Sequence, residues 1–146
     1  MRAFIAPELS AESEAFWRGC GEGRLMIARC RACGLYLHPP RPACRRCRSM
    51  DIGSEQVSGR GRVHSVTVVH HAFVPGIEVP YSVAIVELEE QAGLRLLSNV
   101  TGCAPEDVRI GMRVSAVFEP IEGADGIALP RFAPLAESEG ARGSVT

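Results

Sequence analysis

The sequence predicts a mainly β chain in three parts: an N-terminal helical segment, a small ribbon stapled by a metal, and a five-stranded barrel. Three observations carry this. Two Cys-x-x-Cys pairs, Cys30/Cys33 and Cys44/Cys47, stand ten residues apart. From Val57 onward, short β-branched runs are separated by glycine and proline. Helical patterning is confined to the first 28 residues, where Phe16-Trp17 supplies the apolar weight. The expected boundaries are 1–28 for the helical segment, 29–52 for the ribbon, 53–135 for the barrel and 136–146 for a flexible tail.

In the first part, Ser10 suits a helix N-cap, and Glu12 and Glu14 follow in the turn where the helix dipole favours negative charge. The glycines from Gly19 to Gly23 end the helix. Leu25-Met26-Ile27 forms a short strand that feeds the first cysteine pair. Each Cys-x-x-Cys bends into a knuckle that aims both sulfurs at one point, and two knuckles supply the four thiolates of a tetrahedral zinc site: Cys30, Cys33, Cys44 and Cys47. Gly34 permits the first knuckle to turn, and Leu35-Tyr36-Leu37 leads away as the other limb of a hairpin. With four cysteines at hand, His38 is expected to stand outside the ligand set, as are Cys20 and Cys103. Iron in an electron carrier would use the same four thiolates.

In the barrel, Arg62 to His70 alternates as a long strand whose opening Gly59-Arg60-Gly61 is placed for a bulge. Tyr81 to Leu88, Leu94 to Val100, Met112 to Phe118 and Ile127 to Ala133 follow as strands, with a helical turn near Pro105-Glu106-Asp107. Five short strands with the longer connection after the third suggest a Greek-key barrel of the OB type.

Charge and composition narrow the function. All 16 basic residues are arginine, which excludes lysine Schiff bases and a phosphate-loop lysine. Residues 1–62 hold 11 arginines against 6 acids, and residues 63–146 hold 5 against 11. Arg41, Arg45, Arg46 and Arg48 crowd the second cysteine pair. They read either as a solvated face offsetting the charge of four thiolates, or as contacts for a phosphate, such as that of CoA, or for an acidic partner. No apolar run reaches the ~20 residues of a membrane span and the N-terminus lacks a signal-peptide core, so a cytoplasmic protein is expected.

No compact nucleophile–base arrangement surrounds His70-His71 or Cys103, and Glu87, Glu89 and Glu90 read as a solvated rim, so no catalytic residue is assigned. A ribbon joined to an OB barrel also suits single-stranded nucleic acid. Against that alternative stand an aromatic content of only 5% and the acidic balance of the barrel half.

Phe16-Trp17 with Gly23-Arg24-Leu25, Cys30-Arg31-Ala32-Cys33-Gly34, Pro39-Pro40-Arg41 to Cys47, Ser58-Gly59-Arg60-Gly61 with Val63 to Val69, Pro80-Tyr81 to Leu88, Arg95-Leu96-Leu97 and Pro105-Glu106-Asp107 to Gly111 together resemble one family. Its members join an N-terminal helix, a rubredoxin-like zinc ribbon and a C-terminal acyl-CoA-associated OB fold. Relatives often read Cys-Pro-x-Cys-Gly at the second knuckle, where this chain has Arg45 and Arg48. The resemblance implies a non-catalytic subunit that docks on a thiolase-superfamily enzyme (a thiolase, acyltransferase or aldolase), helps assemble it and shapes its acyl-CoA channel.

Overall fold

In the computed structural model, which describes residues 6–136, a pair of serines sets the start of the helix. Ser10 and Ser13 each accept the other's backbone N–H, at 3.0 and 3.2 Å. This reciprocal bonding closes the turn that leads into α1 (Glu14–Gly21). The Ser10 cap thus serves the turn before the helix proper. At the other end, a Cβ on Gly21 would lie 2.0 Å from the carbonyl oxygen of Gly126, so only glycine lets the helix end seat against that loop. The tail expected from 136 lies, beyond Ala136, outside the described residues.

Three strands build the ribbon sheet: β1 (Met26–Cys30), β2 (Tyr36–Leu37) and β3 (Ile52–Gln56), in the order β2-β1-β3, all antiparallel. The central β1 serves two interiors. Ile27 joins Phe16, Cys20 and Leu25 in the barrel core, whereas Ala28 and Cys30 pack with Leu35, Leu37 and Cys44 in a separate small cluster.

The barrel comprises β4 (Arg60–Val69), β5 (Tyr81–Leu88), β6 (Arg95–Ser98), β7 (Arg113–Pro120) and β8 (Ala128–Pro134), in the order β6-β5-β4-β7-β8. A 3-10 turn at Pro105–Asp107 occupies the long connection after β6. Closure comes from a parallel bridge between Val100 and Phe132, in which Thr101 donates to the Phe132 carbonyl at 2.7 Å and Phe132 donates to that of Asn99 at 3.0 Å. This closed antiparallel arrangement is the expected OB-type barrel.

The bulge of β4 falls at His64, between Val63 and Ser65, and not at the glycines that open the strand. The extra residue reverses the facing beyond it. Val63 pairs with buried Val86, Val66 with buried Ala84, and Val68 with buried Ser82. The sequence alternation grouped Val63 with Ser65, Thr67 and Val69, but one bulged residue sends the latter three outward. Pro130 and Pro134 are tolerated in β8 because this strand borders the antiparallel sheet and pairs along its length only with β7. Among the described residues, no helix is long and apolar enough to cross a membrane.

The two halves are joined through the main chain and through one side chain. Val57 donates to the Leu25 carbonyl at 2.9 Å as β3 runs on toward β4. From the β5–β6 turn, the Gln91 amide accepts the Tyr36 N–H at 2.9 Å and donates to the Tyr36 carbonyl at 3.2 Å. It thereby occupies the outer edge of β2 as a neighbouring strand would.

Candidate metal centre

The two knuckles repeat one another bond for bond. In the first, Gly34 N–H donates to the Cys30 carbonyl and Cys30 N–H to that of Leu35, both at 2.9 Å. In the second, Arg48 N–H donates to the Cys44 carbonyl at 2.9 Å and Cys44 N–H to that of Ser49 at 2.8 Å. The turning residue needs a left-handed backbone in each case: φ is 79° at Gly34 and 65° at Arg48. Arg48 is the non-glycine residue held at positive φ among those described. It is exposed, and its side chain makes no hydrogen bond or ion pair among the described residues. A left-handed backbone costs a residue with a Cβ roughly 1–2 kcal/mol, partly offset by the greater unfolded-state freedom of glycine. Arg48→Gly should therefore raise the stability of the zinc-loaded protein by up to about 1 kcal/mol, read as a higher thermal midpoint; an unchanged or lower midpoint would show that the second knuckle carries no strain.

The four sulfurs converge. Cys30 Sγ and Cys47 Sγ are 3.5 Å apart, Cys33 Sγ and Cys44 Sγ 3.6 Å, and all four lie within 4.8 Å of one another. Four sulfurs about 2.3 Å from a tetrahedral zinc would be about 3.8 Å apart, so the donor set and its spacing fit that ion. Backbone amides support the thiolate form. The N–H of Leu35 and the side chain of Arg46 help hold the Cys33 thiol down at about 6. The N–H groups of Cys47 and Arg46 hold Cys44 below the usual thiol range. Ser49 N–H acts likewise on Cys47, but hydrogen bonds with Cys30, Cys33 and Cys44 together with burial prevail and leave it at about 11.

The remaining sequence candidates are dispersed. His38 stands outside the cluster, its ring 5.3 Å from that of Phe16, and burial lowers its pKa. Cys20 lies on the buried face of α1, with its thiol pushed up to about 12 by burial. Cys103 lies beside the 3-10 turn and is raised by burial and by Asp107. His71 rests on the Phe73 ring at 4.8 Å. Of the four arginines, Arg46 reaches across to the first knuckle and donates to the Cys33 carbonyl at 3.0 Å. Arg41 and Arg45, like Arg48, are exposed, and their side chains make no hydrogen bond or ion pair among the described residues.

Two neighbouring hollows share a border on the barrel. One, of about 400 Å3, is mainly apolar and lies between the helix and the barrel, lined by Phe16, Trp17, His38, Pro40, Leu97 and Pro130. The other, of about 430 Å3, is lined by Tyr81, Ser82, Thr101 and Cys103 among others. Asn99 and Arg131 border both, joined by a hydrogen bond from Arg131 to Asn99 Oδ1 at 3.0 Å. Arg131 also pairs with Glu119 at 2.6 Å. Sequence reading found neither hollow, because both are assembled from segments far apart in the chain.

Comparison with known proteins agrees with this architecture. Residues 17–52 match the family profile described as "ChsH2, rubredoxin-like zinc ribbon domain", and residues 54–119 that described as "ChsH2, C-terminal OB-fold domain". A "DUF35 domain-containing scaffold protein" of Methanocaldococcus jannaschii is 42% identical over 118 residues, covering 76% of this chain and 81% of that protein. A "Probable enoyl-CoA hydratase alpha subunit" of Thermomonospora curvata is 38% identical over 133 residues, or 91% of this chain; the chain spans only 40% of that relative's length. Among solved structures, a chain of the "Ltp2-ChsH2(DUF35) aldolase" superposes with a TM-score of 0.78 at 38% identity, covering 88% of this chain and 98% of the other. The chain therefore belongs to the DUF35 family, whose members join a ChsH2-type rubredoxin-like zinc ribbon to a C-terminal OB-fold domain.

Proposed function

We propose that this chain is a non-catalytic subunit, held together by a structural zinc on Cys30, Cys33, Cys44 and Cys47, that docks on a thiolase-superfamily enzyme in the cytoplasm. The observation that carries the reading is the donor set: four sulfurs within 4.8 Å of one another, enough to fill every position of a tetrahedral ion. Such a site leaves no place for water or substrate, so its metal serves the scaffold. The likeness to the chain of the Ltp2–ChsH2(DUF35) aldolase supports a role beside an enzyme. The thiolase-fold partner would supply the nucleophile, and this chain would help assemble it and shape its acyl-CoA entrance. Within this reading, Arg41, Arg45 and Arg48 are the cations free to meet a CoA phosphate or an acidic partner surface, while Arg46 is engaged with the Cys33 carbonyl.

The test is co-expression with a tagged thiolase-fold protein encoded beside it. Co-purification in a fixed ratio, with enzyme activity that falls when this chain is omitted, is expected. Full activity of the enzyme alone would refute the subunit role. Salt-sensitive binding to single-stranded nucleic acid without any enzyme partner would favour the alternative reading.

A further inference from the structure

The outer face of the barrel carries a second arginine group, unrelated to the cysteine knuckles. In register, Arg62 on β4 stands directly opposite Arg113 on β7, and Arg60 lies two residues away on β4. Like charges directly opposite one another on adjacent strands destabilise a sheet, so this pair calls for a counter-charge. The neighbouring acids hold their hydrogen bonds with other groups, although the Glu89 charge is also felt by Arg113. Glu87, which faces Arg62 from β5, accepts from Arg95 Nε and from Gly93 N–H, both at 3.1 Å. Glu89 is held by Arg60 at 2.7 Å. The Arg62 guanidinium donates to the Gly111 carbonyl, at 3.1 Å, and the Arg113 side chain makes no hydrogen bond or ion pair among the described residues, its carbonyl accepting from Leu135 N–H at 2.9 Å. Both guanidinium groups are exposed and help line one polar hollow of about 470 Å3, together with Arg60, Glu87, Glu89 and Gln91.

We infer that Arg62 and Arg113 form a binding site for a phosphoryl group, either free phosphate or the terminal phosphate of a larger molecule. Two adjacent cations match a dianion, and each planar guanidinium fork can meet two phosphate oxygens. The hollow has room for the body of a phosphomonoester. The inference does not depend on the subunit role or on any partner enzyme.

The test uses the full zinc-loaded chain, titrated calorimetrically with inorganic phosphate and with phenyl phosphate at constant ionic strength, with chloride as the blank. Saturable binding of phosphate at one site is expected, weakened about tenfold by Arg62→Gln or Arg113→Gln, as for the loss of one charge-assisted contact. Arg109→Gln, an exposed arginine outside the hollow, should bind as the parent does. Tighter binding of phenyl phosphate would assign the hollow to a phosphomonoester, and equal binding would assign it to free phosphate. Without phosphate, Arg113→Gln should melt no lower than the parent, because the substitution relieves the repulsion. Absence of saturable binding, or equal affinity in the parent and both glutamine variants, would overturn the site.

Discussion

Replacing Cys44 with alanine is expected to abolish stoichiometric zinc binding and to unfold the ribbon before the barrel. A structural zinc contributes about 10–16 kcal/mol in small ribbon-like peptides, more than the remaining ribbon contacts can replace. Those contacts are few: Ala28, Leu35 and Leu37 pack chiefly on Cys30 and Cys44 themselves. Zinc content together with hydrogen exchange over residues 28–56 reads the result; a variant that kept its metal and its protection would contradict the account. Acid should act in the same direction. Zinc binds thiolates, so binding releases protons, and affinity falls as pH falls. Cys47, at about 11, is proton-bound at neutral pH and must release its proton to solvent when its thiolate binds the metal. Cys33, at about 6, is largely ionised there. The dependence should therefore steepen below about pH 6, where a further proton must be displaced.

The second large effect is expected at Phe132. Its side chain is fully buried, and its main chain makes the bridge that closes the barrel. Phe132→Ala keeps both backbone hydrogen bonds but empties the core between Val100 and the helix, a change that typically costs about 3–5 kcal/mol. Equilibrium denaturation should show a barrel destabilised by that order while zinc content stays at one per chain. Equal loss of metal and barrel would instead show that the two cores unfold as one.

These effects fall on residues of unequal legibility. The cysteine spacing alone specifies the metal cluster, because each knuckle is a local turn whose bonds span five residues or fewer. The barrel strands are legible as apolar and β-branched runs bounded by glycine and proline, and Tyr81–Leu88, which follows Pro80, buries every second residue in the fold. What escaped depends on register between distant segments. Nothing near Ile52–Gln56 announces β3, since three of its five residues are exposed polar ones and its place is fixed by pairing with β1. The bulge at His64 likewise inserts one residue into a run that alternates perfectly well without it. Arg62 and Arg113 lie 51 positions apart in the chain, so only the sheet shows that they are neighbours. The charge count divided at residue 62 placed Arg60 and Arg62 in the basic half and Arg113 in the acidic one, so their meeting on one barrel face did not show in it.

The Gln91 contact gives the seam between ribbon and barrel a chemical grammar of its own. A primary amide presents an N–H group and a carbonyl oxygen side by side on a planar frame, and here it reads the donor and acceptor of Tyr36 together. Glutamate has nearly the same shape but offers two acceptors when ionised, and would set a carboxylate oxygen against the Tyr36 carbonyl. At this position the seam therefore discriminates between two side chains of equal size by the identity of a single terminal atom.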